Sequence, residues 1–505
     1  MSQYQIIDYN SIDDLINFIS LRNKISPHRL KEKLHIIYLE GYLKEIHVQS
    51  FITEENYFDR DFLEDYSAYY VRSFNDYKRT CTRLHFFSCK IKDQNFTDAL
   101  LDKSSILQSN YLGFIVLKPL PQTIIGRTCL KTYEVTGGRS FNFIRPYEVN
   151  LFGISLTVDS IAYQEQDSIV AACASSAIWS AFQATGLLFQ HSIPSPVEIT
   201  RAAIKFFPYS NRHFPNKGLT PEQMAHAIRN VGLDPFLISP THHDVLKATV
   251  YAYLKAKIPI VLGVHLIEEH PGIRKPIGYH AITVTGYRLG SKKQGFSGGQ
   301  FFLKSSSIEK IYCHDDQVGP FARMEFKGAG NSLTTSWTDS NKKIGNVFAT
   351  PQMAIIPLYH KIRISVDIIL KVIDRIDSFV KHIFKSVTLT TSLNLSEIEW
   401  DIFLSTNNDF KKEIRKDNEL SDDTKKIILT RGFPKYLWRA IGQIDNERIE
   451  FTFDATDIEQ GDIFIMLIPY SKSLNDLMKI IANNIDIDKI ELIPAEKVFT
   501  GIKNS

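Results

Sequence analysis

Residues 171–186 read AACASSAIWSAFQATG, and this stretch decides the fold class. Ala174, Ala177, Ile178, Ala181 and Phe182 fall at i, i+3, i+4, i+7 and i+8, the spacing of one helix face, and Gly186 is placed to stop that helix. Cys173 stands one residue before the first position of the pattern, so its sulfur is expected at the positive end of the helix dipole. Its neighbours Ala171, Ala172, Ala174, Ser175 and Ser176 are small, which leaves room for a second backbone to approach the thiol. Downstream, Thr220-Pro221-Glu222-Gln223 is a capping box with proline at the first helical position, and Gly232 ends that helix. A third helix is expected over 244–255, burying Leu246, Val250, Tyr253 and Leu254, and strands over 260–266, 280–287, 308–315 and 321–326. Helices followed by an antiparallel sheet predict an α+β domain.

Working outward, residues 1–75 mix charged and apolar positions and read as mainly helical. Strand-like runs follow at 83–87 and 111–117, with Pro119, Pro121, Gly126, Gly137 and Gly138 as turns. The segment GSKKQGFSGGQ at 290–300 is glycine-rich but opens no helix and precedes no GK[ST], so it reads as a hairpin insertion rather than a phosphate cradle. From about 346 a further α+β region is expected, with a helix over 362–384, a charged stretch at 409–426, strands at 449–453 and 463–468 and a helix near 474–481. It carries no reactive constellation. The division expected is 1–150, 151–345 and 346–505.

A chain of 505 residues is too long for one core. Its 44% hydrophobic and 23% charged residues are those of an ordinary globular protein. A net charge of +3 with no dominant basic block argues against nucleic acid as a partner. The start, MSQYQIIDYN, lacks the pattern of a secretory signal, and the longest apolar candidate, 258–267, reads as a buried strand. It falls short of the roughly 18 residues of a membrane helix. The five cysteines (Cys81, Cys89, Cys129, Cys173, Cys313) are odd in number and scattered, with no CxxC pair. A disulfide framework and a cysteine zinc site are therefore not expected, and neither is a cofactor. A reducing cytoplasm is, and it keeps a thiol usable.

A thiol attacks as thiolate, which a helix N-terminus and an adjacent imidazolium both favour. The imidazole candidate lies in GYHAITVTGY at 278–287, where His280 is expected to open a strand on the same face as Ile282 and Val284. A lone cysteine is by default a small buried hydrophobe, and one of 15 histidines is by default structural, so it is their order with a third piece that counts. That piece is IYCHDDQ at 311–317, since a base needs an acceptor to fix its tautomer. Ile311, Cys313 and Asp315 share the face expected inward. Asp315 is thus the expected orienter and Asp316 a solvated turn residue, although one bulge would exchange them.

These pieces in this order resemble the papain-like cysteine peptidase superfamily. They are most similar to the branch containing the bacterial double-glycine leader peptidases, whose third member is aspartate. The resemblance covers roughly 155–330. It implies a papain-like domain in which the helix carrying Cys173 packs on an antiparallel sheet carrying His280 and Asp315. It also implies hydrolysis of a peptide or isopeptide bond in a protein substrate through a thioester. Gln166, in YQEQDSIVAAC, is the implied oxyanion donor, with Gln164 as the alternative. Gln166 lies seven residues before Cys173, one more than the family's usual six, and the CGSCW-like motif is absent, the nearest tryptophan being Trp179. The flanking regions would select a substrate or receive a regulatory protein partner. Three rivals remain: a thiol acyltransferase resembling phytochelatin synthase, a silent adaptor with the same fold, and a metal site built from His314, Asp315 and Asp316 with His265 or His270.

Overall fold

The computed structural model describes residues 3–503 except 168, 170, 171, 206–217, 329–330, 387–392, 394, 459–461, 486–489 and 491. It is a mixed α+β protein with antiparallel sheets. Its residues group into two units built from interleaved segments. The first takes 1–240, 258–287 and 310–357, and the second takes 241–257, 288–309 and 358–505. The expected regions 1–150 and 151–345 thus fall in one unit, apart from 241–257 and 288–309.

In the first unit, strands Tyr4–Asp8, Ser50–Tyr57, Cys81–Phe87, Tyr111–Leu117 and Ile125–Leu130 pair in chain order into a five-stranded sheet. Tyr111–Leu117 is apolar throughout and buried throughout, as a strand covered on both faces must be. The 1–75 region is mainly helical, as its pattern predicts. Helices Ile12–Asn23, Pro27–Lys31, Leu34–Glu45 and Arg60–Ala68 follow the first strand of that sheet, and the second strand separates the third helix from the fourth. The first of these helices starts at a capping box made by Ser11 and Asp14.

The second sheet closes on itself. Strands Ile260–His270, Ile273–Leu289, Ile308–Asp315, Gly319–Lys327, Ser332–Thr334 and Val347–Tyr359 neighbour one another in order. The last then pairs with the first, Val261 opposite Ile355 and Ile267 opposite Phe348. The result is a six-stranded barrel without free edges along that ring.

The helix read from residues 171–186 forms as Cys173–Phe189 and lies against this barrel. Ile178, Trp179 and Phe182 are fully buried in a core shared with Val261, Ala281 and Ile355. Burying side chains of this size contributes about 1.5–3 kcal/mol each. The alanines between them let helix and sheet approach closely, and Thr283 Oγ1 donates to the carbonyl of Ala177 at 2.6 Å. Gly186 does not end the helix. It serves a close approach instead, since a Cβ there would meet Ile193 Cγ1 at 2.7 Å, and the helix stops four residues on at Gln190, in left-handed conformation with φ 58°.

The second unit holds a sheet in the order Phe302–Leu303, Glu399–Thr406, Tyr436–Ile444, Glu447–Asp454 and Phe464–Pro469. The helix expected over 244–255 forms as His243–Lys255 and belongs to this unit. The charged stretch at 409–426 lies in two helices, Asn407–Lys416 and Asp422–Thr430. Among the described residues no helix is long and apolar enough to cross a membrane.

Candidate active site

Cys173 is the first residue of its helix. Ala172 before it is extended (φ −112°, ψ 165°) and offers no side-chain cap, and no acidic residue occupies the first turn. The free N–H groups of that turn thus face no competing carboxylate of their own helix. Ser175 steadies the entry, its Oγ taking the Ala172 N–H at 3.4 Å and bonding Thr200 Oγ1 at 2.7 Å. The thiol is only partly buried. Burial pushes the other four thiols, Cys81, Cys89, Cys129 and Cys313, upward.

His280 does not open its strand. The strand begins at Ile273, because 273–279 pair back onto 265–270 as an exposed hairpin arm, and His280 is the first buried position after that arm. Its neighbour in register is Val264. Further along the same strand, Thr285 Oγ1 donates to the carbonyl of Tyr312 at 3.0 Å, tying it to the strand that ends at Asp315.

Cys173, His280 and Asp315 come together. His280 Nε2 lies 2.9 Å from Asp315 Oδ1. An ionised carboxylate only accepts, so Nε2 carries the proton and donates it. Nδ1 is then the nitrogen left for Cys173, whose side chain interacts with the imidazole and helps to raise its value. Asp315 takes two further donors, Trp337 Nε1 on Oδ2 at 2.8 Å and the Gln317 N–H on Oδ1 at 3.1 Å. The Trp337 ring stands edge-on to the imidazole at 5.2 Å and 75°. Burial alone would lower the His280 value, but the charge and hydrogen bond of Asp315, the bond to Cys173 and the charge of Asp316 hold it well above an ordinary histidine. Burial would likewise raise Asp315, yet His280, Trp337 and Gln317 hold it below the usual aspartate range.

Asp316 is not a solvated turn residue. It is 4% exposed, as buried as Asp315. Asp315 meets His280 as strand parity expects, but Asp316 is buried too, for two physical reasons. Residues 311–316 are buried on both faces, so no face is outward. The pairing with Gly319–Lys327 also slips between Cys313 and Asp315, a bulge that turns both carboxylates inward. His35 Nε2 closes the turn at 2.8 Å from the Asp316 carbonyl. Asp316 Oδ1 lies 3.4 Å from His280 Nε2, but neither carboxylate oxygen has a hydrogen-bond partner of good geometry among the described residues. Burial first, with the charge of Asp315 behind it, outweighs the pull of His280 and pushes this carboxyl up to about 7.

Of the two candidate glutamines, Gln166 is linked to the loop bearing the acid. Gln317 Nε2 donates to Gln166 Oε1 at 3.3 Å, while the Gln317 backbone serves Asp315. Gln164 is buried, and its Nε2 has no hydrogen-bond partner among the described residues. The histidines of the metal reading are not gathered. His314 accepts the Phe321 N–H at 3.2 Å and donates to the Ile161 carbonyl at 3.1 Å, and burial pushes it down to about 3. His265 stacks on Tyr279, with ring centres 4.9 Å apart, and His270 pairs with Glu268 at 2.8 Å.

Trp337 and Gln317 escaped the sequence reading. Gln317 directly follows the two aspartates and had that adjacency as a signal. Trp337, 22 residues beyond Asp315, had none, since it is brought in by the loop that precedes the closing strand of the barrel. No family model matches the chain, and no curated protein matches it.

Proposed function

We propose that this protein is a papain-like cysteine peptidase in which Cys173 is the nucleophile, His280 the general base and acid, and Asp315 the residue that orients His280. One observation carries the reading. A buried imidazole interacts with a partly exposed thiol at a helix N-terminus and donates its Nε2–H to a carboxylate held by two further donors. Structural histidines do not need a thiol on that side. In the first half-reaction the Cys173 proton passes to His280 Nδ1 and the sulfur attacks the carbonyl carbon. The C–N bond then breaks, and the amine leaves with the proton from His280. In the second, water gives a proton to His280 and attacks the thioester, the C–S bond breaks, and the thiol is restored.

The Cys173 N–H and the side chain of Gln166 are the proposed oxyanion donors. Asp315 and Trp337 keep the imidazole in the tautomer that both steps need. The substrate is a peptide or isopeptide bond of a protein, and the setting is a reducing cytoplasm, which suits five unpaired cysteines. The test is incubation of wild-type and Cys173→Ala protein with a complex peptide mixture, with and without an added primary amine, followed by mass spectrometry of new termini. New carboxyl termini made by the wild type alone support the reading. Identical fragments in both refute it, and products capped only with the amine would replace hydrolysis by acyl transfer.

A further inference from the structure

Two carboxylates converge on one nitrogen. His280 Nε2 is 2.9 Å from Asp315 Oδ1 and 3.4 Å from Asp316 Oδ1. Asp315 takes donors from Trp337 and Gln317 as well, whereas among the described residues the Asp316 oxygens have no hydrogen-bond partner of good geometry, the Gln317 side chain acting on them only weakly. Buried polar groups are nearly always paired, so such an orphan calls for an explanation. The fold does not supply one. The contact that holds this turn, from His35, is made to the Asp316 backbone carbonyl, which any residue would offer.

We propose that Asp316 is a second positioning carboxylate for His280, standing beside Asp315 and sharing the imidazole Nε2–H. This rests on the reading of Cys173 and His280 as nucleophile and base. With its carboxyl pushed up to about 7, Asp316 changes charge within the neutral range. The groups that face it are His280 and Asp315 from the barrel, Gln317 from its own turn, His35 from the helix Leu34–Glu45 and Tyr163 from the segment leading to Cys173. His35 is in turn 3.8 Å from Glu165. When Asp316 ionises, a second negative charge stabilises the imidazolium and favours the Cys173–His280 ion pair. When it is protonated, Asp315 acts alone. The reactivity of Cys173 therefore climbs in a step as pH rises through neutrality. If Asp315 loses its charge, Asp316 takes over part of its role.

The test is the pH–rate profile of Cys173 alkylation by iodoacetamide, read by mass spectrometry on the full chain. The wild type, Asp316→Asn, Asp315→Asn, the double variant and His280→Ala are compared, with thermal unfolding as the check on folding. Asp316→Asn should match the wild type below about pH 6 and fall up to about tenfold behind above pH 8, losing the step. Asp315→Asn should stay about tenfold faster than the double variant. Superimposable profiles for the wild type and Asp316→Asn overturn the proposal, and so do equal rates for Asp315→Asn and the double variant. Should Asp316→Asn not fold, the comparison of Asp315→Asn with His280→Ala decides, and equality refutes. A wild type no faster than His280→Ala at any pH removes the peptidase reading and this proposal with it. That outcome is distinct from a fast wild type with an unchanged Asp316→Asn profile.

Discussion

The first unit contains another buried imidazole hydrogen-bonded to a carboxylate, and the two sites behave in opposite ways. On the five-stranded sheet, His85 is fully buried, with Nε2 3.3 Å from Glu54 Oε2 and Nδ1 3.0 Å from the Tyr111 hydroxyl. Arg83 Nε donates to the same Glu54 oxygen at 2.7 Å. Burial, aided by the charge of Arg83, pushes His85 down to about 4 despite its bond to Glu54. In the barrel, His280 is also buried, yet two carboxylates and, among the described residues, no cation face it, and it is held well above the ordinary value. A buried histidine–acid pair is therefore not in itself a sign of function. What distinguishes His280 is the missing competing cation, the thiol on its other nitrogen and the unsatisfied second acid.

The largest effect that would break this contrast is loss of chemistry at one site only. Cys173→Ala should reduce peptide cleavage by about 10³-fold or more, while unfolding by denaturant is nearly unchanged, since the thiol is only partly buried. Cleavage that persists would contradict the assignment. Next, Arg83→Met should make His85 resemble His280. Nuclear magnetic resonance titration should show its value rising by a unit or more as Glu54 becomes its own partner, with a stability loss of about 3 kcal/mol from the broken pair. No movement of His85 would mean that burial alone sets it.

Stability against pH should separate the two histidines as well. The folded value of His85, about 4, lies below the unfolded 6.5, so the folded state binds fewer protons. Its contribution is complete above pH 6.5 and lost as pH falls toward 4, an acid penalty of about 3 kcal/mol that His85→Asn should remove from urea unfolding. The folded value of His280 lies above its unfolded one, so its contribution is complete below pH 6.5 and lost as pH rises through the folded value. Asp315 does the reverse, contributing above the ordinary aspartate range and losing this as pH falls. The smallest effect expected is that of Trp337→Phe. Removing its N–H from Asp315 should cost about 2 kcal/mol in unfolding and slow Cys173 alkylation a few-fold. Alkylation unchanged at full stability loss would make Trp337 purely structural.

Local pattern made some of this legible and closure hid the rest. The helix Cys173–Phe189 and the strands around His280 and Asp315 follow from apolar spacing, and small neighbours mark Cys173, because those signals lie within about ten residues of each other. Parity misplaces Asp316 because it presumes one wet face, and this strand has none. Trp337 arrives through barrel closure between Val347–Tyr359 and Ile260–His270, a pairing about 90 residues apart that local periodicity does not encode. The interleaving of 241–257 and 288–309 with the second unit is hidden for the same reason, and the glycine-rich run at 290–300 marks an insertion without showing which unit it joins.

The central claim is that His280 activates Cys173, and the most direct measurement is the iodoacetamide rate at Cys173 near pH 6.5 in wild type and His280→Ala. The wild type should react about 100-fold faster, at a pH where a lone thiol is almost wholly protonated. Equal rates would contradict it.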